Sequence, residues 1–126
     1  NYLSNNIDRR EKIFLKLNEV ANENNKIIPI NNKEITKISN FAFPIVLKDQ
    51  MEIKNTIKNY ITAGVEIRPM VAGNIVNQPF YRKYVNSGNK SLKNAEYIHN
   101  HSFYFPNHPE LSDDEVKYLQ KLITEI

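Results

Sequence analysis

One segment of this sequence, residues 41–68, restricts the possible folds more than any other. Apolar residues stand at every second position from Phe41 to Leu47, which is the spacing of a β-strand with one buried face. A helical pattern follows and ends at Gly64, and a second, short strand over residues 65–68 ends at Arg68. A connection of this length between neighbouring strands of a sheet predicts a layered α/β or α+β fold.

Three longer helices are predicted from capping boxes, in which an N-cap side chain and a glutamate three residues later satisfy unpaired backbone N–H groups. The boxes pair Asp8 with Glu11, Asp49 with Glu52, and Ser112 with Glu115. The first helix is predicted over residues 8–24. Each box precedes a stripe of apolar residues at helical spacing, which predicts one buried face per helix. The stripes are Ile13, Phe14, Leu17, Val20 and Ala21; Met51, Ile53, Ile57, Tyr60 and Ile61; and Val116, Leu119, Leu122, Ile123 and Ile126.

Shorter elements lie between these helices. Pro44 interrupts the first strand pattern and has no N–H to donate, so it predicts an edge strand or a bulge. Residues 27–30 are predicted as an extended or edge segment, residues 80–85 as a helical turn and residues 87–89 as a turn cluster. A short amphipathic helix is predicted from residue 92 to residue 98, and a strand over residues 102–105 that ends at Pro106.

Composition places the chain among small soluble domains. Its 126 residues are 40% hydrophobic, which is enough for a single domain with its own core. The net charge of +3 is too small for the dense basic face of a nucleic-acid-binding protein. The chain has no cysteine, no signal peptide and no run of 18 apolar residues, which predicts a cytoplasmic protein without disulfides or a membrane partner. Its first residue is Asn1 and not methionine, which suggests a fragment or a processed product, although removal of an initiator methionine alone would also explain it.

A polar loop after the second strand is the candidate binding site. Val65 and Ile67 alternate with Glu66 and Arg68, so the Arg68 guanidinium is expected to leave the sheet on the face opposite the core, where Pro69 stops regular pairing. An arginine fork suits phosphate or carboxylate, and the amides of Asn74, Asn77 and Gln78 suit hydroxyls. Two alternatives stay open: Arg68 pairs with a surface carboxylate, or Asn74 and Gln78 satisfy the backbone of their own loop.

The histidines do not predict a metal site. His99, His101 and His108 would all have to bind one ion because thiolate ligands are absent, and His99 and His101 are expected to straddle a helix-to-strand transition. His101 is either a substrate donor that faces the loop or a partly buried histidine. No phosphate-loop, dinucleotide-binding or nucleophile-elbow motif occurs, and no nucleophile and base pair is evident. We therefore predict no catalytic residue and no metal ligand in this chain.

Two runs resemble a known family. They are G-V-E-I-R-P-M-V-A-G-N-I-V-N-Q-P-F, from Gly64, and N-A-E-Y-I-H-N-H-S-F-Y-F-P-N-H-P-E-L-S-D-D-E, from Asn94. Both are similar to the C-terminal domain of the DegT family of pyridoxal phosphate (PLP)-dependent nucleotide-sugar aminotransferases and 3-dehydratases, especially members that act on CDP- or GDP-linked 4-keto-6-deoxy sugars. The resemblance covers most of the chain after about Asp8. It departs from the family at Pro106, where related sequences tend to carry glycine.

The resemblance implies a role within a larger enzyme. Residues 1–126 would form one domain, the C-terminal small domain, with a small mixed sheet of about three strands and helices on one face. The missing N-terminal domain would bind most of the PLP, and the full-length protein would be a homodimer that acts in surface polysaccharide or lipopolysaccharide biosynthesis. Arg68, Asn74, Gln78 and His101 would lie at the nucleotide-sugar substrate, while the isolated fragment would hold no PLP and have no activity.

A second class of function is compatible with the same residues. An independent α+β module could bind an acidic small molecule or a protein partner, and the reading frame upstream of Asn1 would distinguish the two. In either case the capping boxes and apolar stripes agree with one another, which predicts that the chain folds alone. The first helix is expected to be the most easily displaced, since its stripe would pack between domains.

Overall fold

A computed structural model describes residues 2–71, 73–85 and 92–126. The described residues form five helices and three strands, with two 3₁₀ turns at Gln50–Glu52 and Ile75–Asn77. The elements are α1 (Tyr2–Glu23), β1 (Ala42–Val46), α2 (Ile53–Thr62), β2 (Arg68–Pro69), α3 (Pro79–Tyr84), α4 (Lys93–His101), β3 (Ser102–Pro106) and α5 (Asp113–Thr124). The turn cluster predicted over residues 87–89 lies outside the described residues.

The three strands form one sheet in the order β1-β3-β2. Phe43 lies opposite Phe105 and Arg68 lies opposite Tyr104, and both strand pairs are antiparallel. The α+β class is therefore confirmed, but the sheet is antiparallel rather than mixed. The expectation that β1 and β2 are neighbours is wrong: β3 lies between them and supplies both ladders, so the α2 connection crosses over a strand that comes later in the chain.

One face of the sheet forms the core with three helices, which confirms the predicted layer. Phe43 and Phe105 have ring centroids 5.5 Å apart, and Phe14 of α1 lies 5.2 Å from Phe43. Tyr60 of α2 lies 5.2 Å from Phe103 and 5.8 Å from Phe105. The fully buried set also includes side chains from α1 and α5, namely Ile13, Leu17, Val116 and Ile123. Tilted and edge-to-face aromatic contacts thus join the sheet to the helical layer.

The edge predictions for β1 are confirmed. Pro44 lies in this strand, which is an edge of the three-stranded sheet and needs no N–H from it. Beyond it, Ile27 forms an antiparallel bridge with Leu47, and Ile28 N donates to Val46 O over 2.8 Å. Phe41 differs from the prediction: it precedes β1 and is 70% exposed, although it continues the alternation.

The first predicted capping box is wrong. The helix α1 begins at Tyr2, so Asp8 and Glu11 lie inside it and have no free helical N–H groups to cap. They bind a distant segment instead: Lys37 Nζ lies 2.7 Å from Asp8 Oδ1 and 2.6 Å from Glu11 Oε2. Ile38 N also donates to Glu11 Oε1 over 2.9 Å. The two carboxylates share a helix face at the i, i+3 spacing and therefore anchor residues 37–38.

Only the N-cap hydrogen bond of the second capping box forms, whereas both hydrogen bonds of the third box form. Asp49 Oδ1 accepts from Met51 N over 2.8 Å, but the Glu52 carboxylate pairs with Lys26 over 3.2 Å and does not complete the box. Because a 3₁₀ turn intervenes, Met51 lies off the stripe of α2 and is 85% exposed, against the prediction. The box of α5 is complete, since Glu115 N donates to Ser112 Oγ over 3.2 Å and Ser112 N donates to Glu115 Oε2 over 2.7 Å.

Gly64, Pro106 and Ile61 can each be compared with their predicted positions. Gly64 has φ +80°, a left-handed conformation suited to glycine after a helix, so it ends α2 as predicted. Pro106 ends β3 opposite Ala42, also as predicted. The helical spacing predicts Ile61 in the buried stripe of α2, but it is 58% exposed because it lies on the flank of that stripe.

The stripe of α1 belongs to this chain's own core. Ile13, Phe14, Leu17 and Ala21 are buried, and α1 packs along α5. Side chains of the two regions also reach each other's backbone: Asn24 Nδ2 donates to Ile123 O over 2.8 Å. The expectation that this stripe packs between domains is therefore wrong.

Acid is expected to destabilise the chain. The Lys37 ammonium and the Ile38 N–H hold the pKa of Glu11 below its usual value, and the Ser112 N–H and hydroxyl lower the pKa of Glu115 in the same way. A pKa that is lower in the folded state gives stability above the unfolded pKa, and this stability is lost as the pH falls through the folded pKa. Urea midpoints at pH 7 and pH 3 measure the loss, which Glu115→Gln should reduce. A midpoint that does not change with pH would contradict this prediction.

Candidate functional site

The loop between β2 and α3 lies at one edge of the sheet and is built from tight turns. Gly73 N donates to Met70 O over 2.7 Å, and Gly73 has φ +63°, in the left-handed region. Asn74 then caps the 3₁₀ turn, and Pro79 occupies the first turn of α3, where its missing N–H costs nothing. The loop is therefore held by its own backbone before any partner is considered.

Arg68 leaves the sheet on the side away from the helices. Val65 and Ile67 pack against the core, as predicted, and Arg68 lies opposite Tyr104 in the register. Its side chain is 63% exposed, and the guanidinium pairs with the Glu66 carboxylate. Within this chain, therefore, Arg68 adopts the surface ion pair that the sequence left open. Such an exposed pair is weak, so it leaves the guanidinium available for a stronger acceptor. The predicted strand over residues 65–68 is wrong in its bounds, because β2 consists of Arg68 and Pro69 alone. Pairing begins at Arg68, the first residue of β2, and ends with Pro69, which lies opposite Phe103.

Asn74 is buried, and both the nitrogen and the oxygen of its amide form hydrogen bonds within the chain. It is 3% exposed, its Oδ1 accepts from Val76 N over 3.3 Å, and its Nδ2 donates to Glu96 Oε2 over 2.7 Å. Gln78 is half-buried and joins two elements, since its N donates to Ile75 O over 3.0 Å and its O accepts from Arg82 N over 3.2 Å. Both residues thus organise the loop, and their contact with a substrate stays a prediction.

The His101 side chain makes its contacts at the end of β1. Its ring stacks on Tyr97 with centroids 3.8 Å apart, and its Nδ1 lies 3.0 Å from Leu47 O. Tyr97 Oη donates to the Leu47 and Lys48 carbonyls, each over 3.1 Å. Among the described residues, the side chain of His101 therefore contacts the β1 end rather than the loop that holds Asn74.

No metal site is present in the described ranges 2–71, 73–85 and 92–126, where no three His, Cys, Asp or Glu side chains are grouped to hold an ion. His99 and His101 both lie in the last turn of α4, so the predicted straddling of a helix-to-strand transition is wrong. Over the same ranges, no helix has the length and apolar character needed to cross a membrane.

Glu96 on α4 is the residue that the sequence did not identify. Its Oε2 accepts from Asn74 Nδ2 over 2.7 Å and from Asn77 Nδ2 over 2.6 Å, and its Oε1 accepts from Asn100 Nδ2 over 3.1 Å. The hydrogen bond from Asn74, followed by those from Asn100 and Asn77, holds the pKa of this carboxyl below its usual range. The available signal was the glutamate in N-A-E-Y, but nothing local connects it with a loop 22 residues earlier.

A shallow cleft opens on the sheet face that the three core helices leave uncovered. It measures about 290 Å³ and is lined by Asn40, Phe41, Ala42, Pro44, Met70, Val71 and Tyr104. Two of its apolar side chains are largely in solvent: Phe41 is 70% exposed and Val71 is 75% exposed. We call this group the open-face cluster. Adjoining exposed apolar side chains of this kind mark contact surfaces more often than scattered ones do.

The described lysines do not form an activated amine. They are exposed except for half-buried Lys16, whose Nζ lies 3.4 Å from Asp113 Oδ1. The pKa of Lys37 is raised by its hydrogen bonds to Asp8 and Glu11, which is opposite to what a nucleophilic amine requires.

Comparison with known proteins identifies relatives of this chain. Residues 1–124 match the DegT/DnrJ/EryC1/StrS aminotransferase family, which confirms the resemblance noted in the sequence. A GDP-4-keto-6-deoxy-D-mannose 3-dehydratase of Escherichia coli O55:H7 is 29% identical over 94 residues, which are 72% of this chain and 24% of that protein. The enzyme of the same name from Yersinia pseudotuberculosis is 30% identical over 96 residues, with the same two coverages. The chain thus spans about a quarter of the length of these curated relatives.

Solved structures share the fold. The E. coli GDP-4-keto-6-deoxy-D-mannose-3-dehydratase with bound hydrated PLP superposes with a TM-score of 0.81 at 24% identity, over 96% of this chain and 31% of that one. A Helicobacter pylori aminotransferase involved in the biosynthesis of pseudoaminic acid gives a TM-score of 0.79 at 19% identity, over 95% of this chain and 32% of that one. Nearly all of this chain therefore has the fold of about one third of each enzyme.

Proposed function

We propose, from the premise that this chain belongs to the DegT/DnrJ/EryC1/StrS aminotransferase family, that it is the C-terminal small domain of a PLP-dependent enzyme. The enzyme modifies a nucleotide-linked 4-keto-6-deoxy sugar, as an aminotransferase or a 3-dehydratase. The observation that carries this proposal is coverage: 96% of the chain matches 31% of a dehydratase as one unit. The names of both curated relatives supply the substrate class. We further propose a cytoplasmic homodimer that acts in surface polysaccharide or lipopolysaccharide biosynthesis.

The lysines that the structure describes do not fit covalent attachment of PLP. A lysine that forms an imine needs a desolvated amine or a lowered pKa, and the described lysines lie in water or in ion pairs. PLP, when bound, supplies an electron sink for the reacting sugar. We therefore assign its binding to the N-terminal domain and give this chain a part in binding the substrate.

Arg68 is our candidate for direct substrate contact. Its guanidinium projects from the sheet face opposite the core, on the same face as Tyr104 across the ladder. A diphosphate offers the oxygens that an arginine fork binds in bidentate fashion, and it would outcompete the exposed Glu66. Asn74, Gln78 and His101 complete the set of proposed substrate-site residues.

The open-face cluster is our candidate for the contact with the rest of the enzyme. Phe41 and Val71 expose apolar surface on the side that carries Arg68, while the stripe of α1 is already covered by α5. Burial of this cluster against the missing domain would close a pocket over the Arg68 side chain. In the larger enzyme these apolar side chains would be buried, whereas in a separate module they would stay exposed to water.

The proposal is tested with the reading frame that contains this chain. The full-length protein, loaded with PLP, is incubated with CDP- and GDP-linked 4-keto-6-deoxy sugars with and without an amino donor. An amino sugar identifies an aminotransferase, and a 3-deoxy sugar identifies a dehydratase. A reading frame without a PLP domain would overturn the proposal and favour the separate binding module. A PLP-loaded protein that converts none of these sugars would overturn the proposed substrate class.

The 126-residue chain is expected to hold no stoichiometric PLP. Because its described amines lie in water or in ion pairs, PLP should form only slow adducts scattered over the surface. Absorbance spectra after incubation with PLP and dialysis measure this, with the full-length enzyme as the positive control. A one-to-one adduct that survives dialysis of the short chain would contradict the prediction.

A further inference from the structure

We infer that Glu96 is the positioning residue for the substrate loop, which we define as residues 73–78. The inference rests on the function proposed above for this loop. Glu96 lies on α4, outside the loop, and its carboxylate accepts hydrogen bonds from two loop amides, Asn74 Nδ2 over 2.7 Å and Asn77 Nδ2 over 2.6 Å. It thus acts on the substrate through the shape of the loop.

The carboxylate is suited to this task because its three described hydrogen-bond partners are all donors. Three asparagine amides, from Asn74, Asn77 and Asn100, converge on its two oxygens. An ionised carboxylate offers about four acceptor sites and no donor, so it can accept from all three amides at once. Alanine at position 96 removes every one of these acceptors, whereas glutamine keeps one oxygen with two lone pairs, which is enough for the two loop amides.

A second contact, between His99 and Gly73, holds the loop against the same face of α4. Glu96, His99 and Asn100 stand at i, i+3 and i+4, so their side chains share one face of α4. The His99 ring fills the space beside Gly73, where an added Cβ would lie 2.1 Å from His99 Nδ1. Gly73 is thus required by its φ of +63° and by this close approach of the ring.

Asn77 links Glu96 to α3, the helix that follows the loop. Its Nδ2 binds Glu96, and its Oδ1 accepts from Arg82 Nη2 of α3 over 3.3 Å. Arg82 Nε also donates to Val76 O over 3.4 Å. The loop is therefore held from α4 on one side and from α3 on the other, and Glu96 is the acceptor on which both of its asparagines depend.

This arrangement changes the role of Asn74. Both ends of its buried amide are used, one by Val76 N and the other by Glu96. Asn74 is then a positioning residue that shapes the loop together with Glu96. Arg68, on the exposed face of β2, remains the residue that reaches the substrate.

The test compares Glu96→Ala with Glu19→Ala, the same change at an exposed position of α1. In the full-length enzyme, Glu96→Ala should raise KM for the nucleotide sugar about 10- to 100-fold, with a smaller change in kcat, because the loop that binds substrate is displaced. Backbone amide exchange at Val76 and Asn77 should become faster, while exchange in β3 stays as in the unmodified protein. Glu19→Ala should change neither quantity.

Glu96→Gln gives the conservative rescue. Its single carbonyl oxygen has two lone pairs, so it can accept from both Asn74 Nδ2 and Asn77 Nδ2 in place of the carboxylate. It should recover most of the KM effect and of the exchange protection that Glu96→Ala loses. Glu96→Met, which restores the bulk of the side chain without an oxygen, should recover neither, so a merely structural loss of packing is distinguished.

The outcomes separate this inference from the proposed function. If the unmodified enzyme converts no nucleotide sugar, the proposed function fails, and the amide exchange of Glu96→Ala still decides whether Glu96 holds the loop. Unchanged exchange at Val76 and Asn77 would overturn the inference whatever the kinetics. Faster exchange with an unchanged KM would overturn it as well, because the loop would then be held by Glu96 without serving the substrate.

Discussion

Replacement of Phe105 with alanine is expected to lower the free energy of unfolding by about 3–5 kcal/mol, the usual cost of removing a buried phenylalanine ring. Phe105 is fully buried in the central strand, and its ring lies 5.5 Å from that of Phe43 and 5.8 Å from that of Tyr60. It therefore joins β1 and α2, and its loss leaves a cavity between the two layers. Urea unfolding of the 126-residue chain, followed by far-UV circular dichroism, measures the change.

Phe41→Ala is the matched control for this experiment. It removes the same side chain from a position that is 70% exposed, so it should change the free energy of unfolding of the short chain by about 0.5 kcal/mol or less. Equal effects of the two substitutions would contradict the core described here. An unmodified chain that melts without cooperativity would contradict the prediction that it folds alone.

Phe41→Ala also tests whether the proposed enzyme buries the open-face cluster. If the open-face cluster is covered by the N-terminal domain proposed above, Phe41→Ala should destabilise the full-length protein more than it destabilises the short chain. The difference between these two effects measures the burial that the larger enzyme adds at this position.

Replacement of Arg68 with alanine is the second large expected effect. In the full-length enzyme it should raise KM for the nucleotide sugar, with a loss of about 2–4 kcal/mol in transition-state stabilisation if a charged hydrogen bond to the substrate is lost. The melting temperature and the PLP content should stay nearly unchanged, because the side chain is 63% exposed and its partner, Glu66, is equally exposed. Steady-state kinetics with the nucleotide sugar as the varied substrate measures the effect.

Lys117→Ala is the charge-matched control, since it removes an exposed cation from α5, in the helical layer on the far side of the sheet. It should leave KM unchanged. If Arg68→Ala also leaves KM unchanged, Arg68 does not belong to the substrate site. If stability and activity fall in proportion, the role of Arg68 is structural and the Glu66 pair is stronger than its exposure suggests.

Several features could be predicted from sequence because their causes are local. The capping box of α5 needs Ser112 and Glu115, three residues apart, and both of its hydrogen bonds form as expected. Gly64 ends α2 because a left-handed residue is required there, and Pro44 lies in an edge strand because it has no N–H. The alternation that placed Phe43 and Ile45 inside is a property of the strand itself.

The family could also be identified from sequence, because its most specific motif is one continuous run. Residues 64–80 hold the arginine, the glycine and the polar side chains of the loop in a fixed order. The match over residues 1–124 extends that local resemblance to nearly the whole chain. The assignment of individual roles within the loop did not follow from the run, since it depends on what each side chain meets.

Tertiary structure decided the rest, since those features depend on partners far away in the chain. Asp8 and Glu11 have the spacing of a capping box, but the helix that contains them begins earlier, and their side chains bind Lys37 and Ile38 instead. The strand order follows from β3, which comes last in the chain and pairs with both earlier strands. Glu96 meets Asn74 across 22 residues, and no helical or strand spacing connects these two positions. A periodic pattern shows which face of an element is buried, but the folded chain alone brings a helix carboxylate to a loop amide.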